Sequence, residues 1–234
     1  MNAPSRRPPW REWGRALAFA LVAWLALRTF GFAAFRITSG SMERTLLTGD
    51  WLFVNKFTFG ARIPFTHART PALRDPHDGD IVVFRSVDTP GLDVVKRVIG
   101  SPGDTVAMRD GIVWRNGAML AEPYVVHDDP AREETPEVRA EMRAWQLPYV
   151  PGVDPAGYRP GLQTWGPIVI PAGRYLMLGD NRDESMDSRY WGLVPRDSVE
   201  GSPSLVYFSY DSGSWRPLPF LTAIRWDRFF RTPS

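Results

Sequence analysis

Two short stretches of this 234-residue chain carry side chains that could together hydrolyse a covalent bond. In segment 36–46, RITSGSMERTL, the two-residue period of an extended chain places the hydroxyls of Ser39 and Ser41 on one side. Gly40 between them lets another backbone approach closely. One hydroxyl could attack a carbonyl carbon while the other, with backbone N–H groups, stabilises the oxyanion that forms. Such a serine needs a base within hydrogen-bond distance.

Lysine is the favoured base because histidine is scarce. The three histidines lie in Pro- and Asp-rich sequence typical of solvated loops: His67, His77 and His127. Burial can hold a lysine uncharged, and the chain has only two lysines. Lys96 in VVKRVI has a valine on each side along its strand face, whereas Lys56 lies nearer a strand end. The pattern therefore favours Lys96 and leaves Lys56, or a solvated role for either lysine, open.

A third polar stretch, GDNRDESMDSRYWG over 179–192, carries four acids: Asp180, Asp183, Glu184 and Asp187. A calcium loop would need a central glycine and a terminal glutamate at fixed offsets, and neither is present. Asp187 and Arg189 could instead pair to fix a loop, which would leave Ser185 to hydrogen-bond a neighbouring group. A polar surface loop is an equally compatible interpretation.

The amino-acid composition excludes several classes of function. The absence of cysteine excludes disulfides, thiolate nucleophiles and thiolate zinc sites. The formal charge is only +2, with 28 basic and 26 acidic residues interspersed, and no basic cluster lies beyond the N-terminus. Nucleic acid is therefore not an expected partner.

An apolar segment precedes these polar stretches and predicts a membrane anchor. Residues 16–35, interrupted only by Arg28, have about the length that spans a bilayer as a helix. A cleaved signal peptide and a buried helix are the competing interpretations, but the run is long and no small-residue cleavage site closes it. The four preceding arginines favour a cytoplasmic N-terminus: Arg6, Arg7, Arg11 and Arg15.

The remainder predicts a mainly β fold. Strand-like runs broken by Gly, Pro and Asp lie at 50–59, 79–87, 93–100, 104–122, 174–180 and 201–211. Asn116-Gly117 predicts a type I′ hairpin turn. Segment 122–171 is Pro-rich and predicts an insertion outside the core, with a short helix within 133–145.

These stretches together resemble type I signal peptidase, the bacterial leader peptidase. The apolar run leads into RTFGFAAFRITSGSMERTLLTGDWLFVNK, followed by DGDIVVF, DVVKRVIGSPGDTV and GDNRDESMDSRYWGLVP, in the family's order and spacing. The resemblance implies a membrane-anchored serine endopeptidase, a hydrolase of protein secretion. It would remove N-terminal signal peptides from exported precursors after small residues at positions −1 and −3, without a metal or organic cofactor.

The resemblance also assigns roles to residues. Ser41 is implied as the nucleophile and Lys96 as the general base, with the backbone N–H of Ser41 and the hydroxyl of Ser39 as the oxyanion hole. Three residues are implied to support the site: Ser185, which orients the lysine, and the charged pair Asp187 and Arg189. Substrate pockets are implied near Ile63, Pro64, Ile81, Val82 and Val83.

The implied fold is an antiparallel β-sheet catalytic core with an inserted smaller β region, preceded by one N-terminal transmembrane helix. The predicted division is a cytoplasmic N-terminus (1–15), a span (16–35), a first core part (36–108), the insertion (109–173), and a second core part with a membrane-proximal tail (174–234). The expected location is the bacterial inner membrane, single-pass, with the catalytic domain on the periplasmic or extracellular side. Expected partners are signal-peptide-bearing precursors and the lipid bilayer, for a monomer.

Alternatives remain. The family pattern has proline where this chain has Arg44, and the loss of proline's fixed φ should loosen the turn beside Ser41. A membrane-tethered, non-catalytic binding module of the same fold is the main alternative. A Ser-x-x-Lys enzyme is disfavoured because Arg44 occupies the lysine position, and the apolar run disfavours a self-cleaving repressor-like peptidase. The aromatic, Arg-rich tail predicts either contact with lipid or packing on the core.

Overall fold

The structure, a computed structural model, describes residues 9–64, 66, 68–129 and 134–233. His67 and the basic residues Arg6 and Arg7 lie outside the described residues.

Helix α1 (Pro9–Ala26) continues into a π-helical turn, Leu27–Gly31. Its side chains contact almost nothing else in the chain: over the 20-residue candidate span Glu12–Gly31 only 6% of the apolar window is buried, at a mean hydropathy of 1.3. Within the described ranges this is the one helix long and apolar enough to cross a membrane. It ends four residues before the predicted end of the anchor, because Phe32 already begins a strand.

The main sheet has seven strands in the order β1-β2-β11-β3-β4-β9-β10. All its paired strands run antiparallel, which confirms the predicted fold class. The strands are β1 (Phe32–Arg36), β2 (Asp50–Asn55), β3 (Ile81–Arg85), β4 (Asp93–Gly100), β9 (Arg174–Leu178), β10 (Val194–Pro195) and β11 (Val199–Ser209).

A second sheet has four strands in the order β7-β6-β5-β8. Its members are β5 (Thr105–Arg109), β6 (Ile112–Arg115), β7 (Ala118–Met119) and β8 (Trp165–Val169). The predicted hairpin joins β6 to β7, and Asn116 and Gly117 have φ of 53° and 82°, as a type I′ turn requires. A second pair with positive φ, Asp110-Gly111, joins β5 to β6, a turn that the sequence analysis did not assign.

The segment between β7 and β8 contains the predicted short helix, α2 (Pro136–Gln146), which Thr135 caps by accepting a hydrogen bond from the N–H of Val138. Met142 on α2 is fully buried in the same cluster as Trp165 and Ile168 of β8. The prediction that 122–171 lies outside the core is therefore wrong, because this amphipathic helix covers the apolar face of the second sheet. The remaining short helices are α3 (Ser188–Trp191), α4 (Pro219–Thr222) and 3₁₀ turns at Leu147–Tyr149, Arg196–Ser198 and Trp226–Arg228.

Strand β3 separates two further parts of the core. Ile81 and Val83 face a cluster that contains Ile37 and Met42, whereas Val82 faces the cluster on the opposite side. This alternation follows from the two-residue period of a strand. The cluster that contains Ile37 and Met42, called the first cluster below, supports the 37–50 loop. This loop comprises the connection between β1 and β2 together with Asp50, the first residue of β2, and it carries the serines of the opening motif.

Candidate active site

Backbone hydrogen bonds close the 37–50 loop at its base. The N–H of Ile37 donates to the carbonyl of Asp50 over 2.8 Å, and the N–H of Gly49 donates to the carbonyl of Ile37 over 3.0 Å. Met42 and Leu46 within the loop are buried in the first cluster. The burial of these apolar side chains fixes the segment that carries Ser41 against the sheet.

Lys96 approaches this loop from the middle of β4, where it lies opposite Val82 of β3. Its Nζ donates a hydrogen bond to Ser41 Oγ over 2.5 Å. Lys96 is only 2% exposed and Ser41 only 7%. The structure thus brings together the serine and the lysine that the sequence favoured, 55 residues apart in the chain.

Burial lowers the pKa of Lys96 from 10.5 to about 8, because the charged ammonium loses its hydration. Of the nearby charges, Asp187 and Asp180 raise this pKa and Arg189 lowers it, and together they do not offset burial. A pKa near 8 leaves an appreciable fraction of the amine uncharged at neutral pH. An uncharged amine beside a hydroxyl can accept its proton.

Ser39 lies at the exposed side of the same site. Its Oγ is 3.3 Å from Ser41 Oγ, although residues 39–41 form bends and the start of a turn rather than the predicted extended segment. The side chain is solvent-exposed, unlike that of Ser41. A hydroxyl in this position can donate to an oxygen that approaches Ser41 from the cleft.

The acidic stretch 179–192 forms buried ion pairs. Asp187 accepts hydrogen bonds from Nε and Nη2 of Arg189, each over 2.9 Å, and another from the N–H of Gly179 over 3.1 Å. Burial raises the pKa of Asp187, but the charge and hydrogen bonds of Arg189 outweigh burial and the pKa is lowered overall. Asp187 therefore stays ionised and fixes the start of α3.

Ser185 lies close to Ser41, since both contact Gly179, but it makes no hydrogen bond to Lys96. Its Oγ is buried, and its proximity to Asp187 helps to lower the pKa of that carboxyl. The side chain packs against Gly179: a Cβ built on this glycine would lie 2.3 Å from Ser185 Oγ and 2.4 Å from the carbonyl oxygen of Ser41. Only glycine permits this approach, and the orienting role of Ser185 stays a prediction.

The ion pair between Arg97 and Asp180 was missed by the sequence analysis. Arg97 Nε and Nη2 donate to Asp180 over 2.9 and 2.7 Å, and Asp180 also accepts from Thr45 Oγ1 over 2.6 Å. Arg97 follows Lys96 on β4, and its guanidinium stacks 3.8 Å from the ring centre of Tyr124. This pair ties the 37–50 loop to the strand that carries the lysine. The sequence did contain a signal for this contact: the two-residue period of VVKRVI turns Arg97 to the strand face opposite that of Lys96.

A cleft of about 370 Å³ opens on the Ser41–Lys96 contact. Its walls are partly apolar, with Ile37, Met42, Leu92, Val94, Val95, Met186 and Trp191, and carry charges at Arg36, Asp88, Asp93 and Glu184. The predicted pocket residues lie elsewhere. Ile81 and Val83 pack behind Ile37 and Met42 in the first cluster, and Pro64 lines a separate pocket beside Arg28 and Lys56.

Arg44 and Lys56 have backbone or side-chain positions that the sequence left open. Arg44 has φ of 80° within the turn that is closed by the hydrogen bond from the N–H of Thr45 to the carbonyl of Met42. Proline cannot adopt this φ, so the turn has a conformation that the family's proline would exclude. Lys56 is distant from the serines and donates from Nζ to the carbonyl of Thr29 over 3.2 Å.

The described histidines lie away from this contact. His77 is exposed, with 65% of its side chain accessible. His127 is also on the surface and its Nδ1 lies 3.3 Å from Asp183 Oδ1. Neither lines the cleft at Ser41.

Three features of this structure define a class of protein: an antiparallel β fold, one exposed apolar N-terminal helix and a buried serine–lysine contact. They are the features of a membrane-anchored serine peptidase that uses lysine in place of histidine. The family model of signal peptidase, peptidase S26, matches residues 10–208. The chain belongs to this family.

Relatives match over most of the chain. A signal peptidase I from Pseudomonas aeruginosa is 35% identical, across 92% of this chain and 78% of its own. Signal peptidase I T from Bacillus subtilis is 31% identical, across 90% of this chain and 91% of its own. A crystal structure of a signal peptidase I from Enterococcus faecalis V583 is 34% identical, covers 56% of this chain and 98% of its own, and has a TM-score of 0.37; the family assignment is based on the sequence matches.

Proposed function

We propose that Ser41 is the nucleophile and Lys96 the general base of a signal peptidase I reaction, which removes signal peptides from secreted precursors. The observation that carries this proposal is the 2.5 Å contact between two buried groups, Ser41 Oγ and Lys96 Nζ. Membership of the family supplies the substrate class.

The reaction proceeds in two halves. Uncharged Lys96 accepts the proton of Ser41 as Oγ bonds to the scissile carbonyl carbon, and the resulting ammonium gives that proton to the leaving amine when the peptide C–N bond breaks. Lys96 then takes a proton from water, whose oxygen attacks the acyl-enzyme ester. Collapse of this second tetrahedral intermediate returns the proton to Ser41 and releases the signal peptide with a free carboxylate.

Each tetrahedral intermediate carries a negative oxygen that needs donors. We assign the backbone N–H of Ser41 and the hydroxyl of Ser39 to this oxyanion hole, supported by the 3.3 Å distance between the two serine Oγ atoms. Asp187, paired with Arg189, supports the site by holding the 179–192 loop against Ser41. Ser185, buried within this loop, is assigned to orient Lys96 when substrate is bound.

The substrate is a precursor with small residues at positions −1 and −3 of the cleavage site. The narrow, partly apolar cleft at Ser41 is compatible with small side chains. Ile81 and Val83 support the apolar floor of this cleft from behind. The assignment of Ile63, Pro64 and Val82 to substrate binding rests on the family resemblance alone.

The membrane arrangement is single-pass, with residues 1–15 in the cytoplasm and the β domain on the periplasmic or extracellular side of a bacterial inner membrane. The arginines before the span support this orientation. Strand β1 starts directly after the candidate span, at Phe32, and this short connection supports a cleft close to the bilayer. Tethering confines the enzyme and its membrane-held precursor to one surface and raises their effective concentration.

The test is cleavage of a purified precursor by the full-length chain in detergent, with wild-type protein beside Ser41→Ala. We expect a single cut after the small residue at −1, and its loss in the variant by a factor of at least about 10³, because the nucleophile is removed. A folded wild-type protein that binds the precursor without cutting it would establish the alternative, a non-catalytic binding module.

A further inference from the structure

The C-terminal tail, residues 210–233, carries a buried arginine, Arg228, that contacts the 37–50 loop. Most of the tail is exposed; Trp226 and Phe230, for example, have 71% and 74% of their surface accessible. Arg228 is the exception, at 7%. The family model ends at residue 208, so it does not account for this arginine.

Arg228 is bound by a carboxylate in the loop. Its Nε and Nη2 donate to Asp50, at 3.0 Å to Oδ1 and 2.6 Å to Oδ2. Asp50 is fully buried, and the N–H of Leu47 also donates to its Oδ2 over 2.8 Å. A bidentate arginine–carboxylate pair fixes both distance and orientation.

The same guanidinium reaches the turn beside the nucleophile. Nη2 of Arg228 donates to the carbonyl of Thr45 over 3.0 Å, four residues from Ser41. Thr45 is in turn bound through its hydroxyl to Asp180, the partner of Arg97 on the lysine strand. The loop is therefore held from two sides, and Arg228 supplies the contacts from the tail.

A second tail residue makes a parallel contact. Arg225 Nη1 donates to the carbonyl of Thr48 over 2.9 Å. The backbone of the tail is itself fixed to β11, because the N–H of Phe230 donates to the carbonyl of Val206 and the N–H of Val206 to the carbonyl of Arg231. Arg228 is thus presented to the loop by paired backbone rather than by a free end.

We propose that Arg228 is a positioning residue for the signal peptidase reaction: through Asp50 and the carbonyl of Thr45 it holds the 37–50 loop so that Ser41 stays in contact with Lys96. The proposal rests on the proposed function, since the reaction is the readout. It makes the C-terminal tail part of the machinery that sets the turnover rate.

The experiment measures kcat, KM and thermal unfolding of the full-length protein in detergent. Arg228→Met should lower kcat at least about tenfold and leave KM within about twofold, because the nucleophile is displaced while the cleft walls remain. Arg228→Lys, which keeps the charge but loses the bidentate geometry, should give an intermediate kcat. Arg216→Met is the matched control from the same tail, because Arg216 is exposed and its Nη1 donates to the carbonyl of Thr222 over 3.0 Å, outside the 37–50 loop; its kcat should equal that of wild type.

A double variant separates positioning from stability. Arg228→Met leaves the Asp50 carboxylate buried without its partner, which lowers the midpoint of thermal unfolding. Asp50→Asn with Arg228→Met removes that charge and keeps an acceptor for Leu47, so the midpoint should recover while kcat stays low. Recovery of kcat together with the midpoint, or an unchanged kcat in Arg228→Met, would overturn the proposal. The proposed function is tested separately. It stands after either outcome if the wild-type protein cleaves the precursor and Ser41→Ala does not.

Discussion

The chain contains two lysines, and comparison of their surroundings shows how the same side chain acquires different chemistry. Each lies in or directly after a strand of the main sheet. Lys96 lies mid-strand in β4, 2% exposed, with its Nζ on Ser41 Oγ. Lys56 lies just after the end of β2, half-buried, with its Nζ on a backbone carbonyl at the end of the membrane helix.

The difference arises from what surrounds each amine. Strands and the 37–50 loop enclose Lys96 and remove its water, which makes the charged form unfavourable and the amine basic enough to act near neutral pH. Lys56 keeps contact with solvent, and its Nζ donates to a carbonyl oxygen at the C-terminal end of a helix. One lysine is therefore suited to proton transfer and the other to binding as a cation.

The largest effect that would separate the two lysines is on turnover. Lys96→Ala should reduce kcat by about 10² to 10⁴-fold, because the proposed general base is lost. Lys56→Ala should change kcat by less than about twofold, as most surface substitutions do. The measurement is the rate of precursor cleavage, and thermal unfolding checks that each variant is folded. Lys96→Met tests the same loss of the amine with the side-chain volume conserved. Equal losses in the two alanine variants would contradict the distinction.

A smaller effect is expected from pH alone. Because the amine of Lys96 must be uncharged and burial brings its pKa to about 8, kcat should rise about tenfold between pH 7 and pH 9 as the proton is lost. Lys56→Ala should leave this profile unchanged. A rate that stays flat over this range in the wild-type protein would show that Lys96 does not titrate there in the active enzyme.

The same titration affects stability with a defined sign. The folded-state pKa of Lys96 lies below its ordinary value of 10.5, so between about pH 8 and pH 10.5 the unfolded chain binds more protons than the folded one. The contribution of Lys96 to the free energy of unfolding should therefore increase with pH across this window. Lys96→Met should remove that increment, which chemical denaturation at several pH values can measure.

The smallest effect is expected at Lys56. Lys56→Gln should lower the free energy of unfolding by about 0.3 to 1 kcal/mol, because a cation near the C-terminal end of a helix is lost. Denaturant titration in detergent measures it, and Lys56→Arg, which keeps the charge, is the matched control. A decrease of several kcal/mol in the free energy of unfolding would mean that Lys56 is buried as fully as Lys96.

Several features were predictable because they depend on neighbours in sequence. Length and hydropathy predicted the membrane helix, and strand periodicity predicted the antiparallel β fold. The Asn116-Gly117 pair predicted its hairpin because few residue pairs accept two positive φ angles. The predicted end of the membrane helix lay too far along the chain. Residues Phe32–Arg36 are recognisable as a strand only when they pair with β2. The core role of 122–171 was missed because burial of Met142 requires the facing sheet.

The sequence by itself determined which groups are available for the chemistry: two lysines, no cysteine, and serines spaced to share one side of an extended segment. It could not determine that Arg97 pairs with Asp180, that Asp50 binds Arg228 across 178 residues, or that Arg44 adopts a φ of 80°. These depend on segments remote in the chain. Only the tertiary structure decided which lysine loses its water, because desolvation results from all the elements that pack around a side chain and from no single neighbour in the sequence.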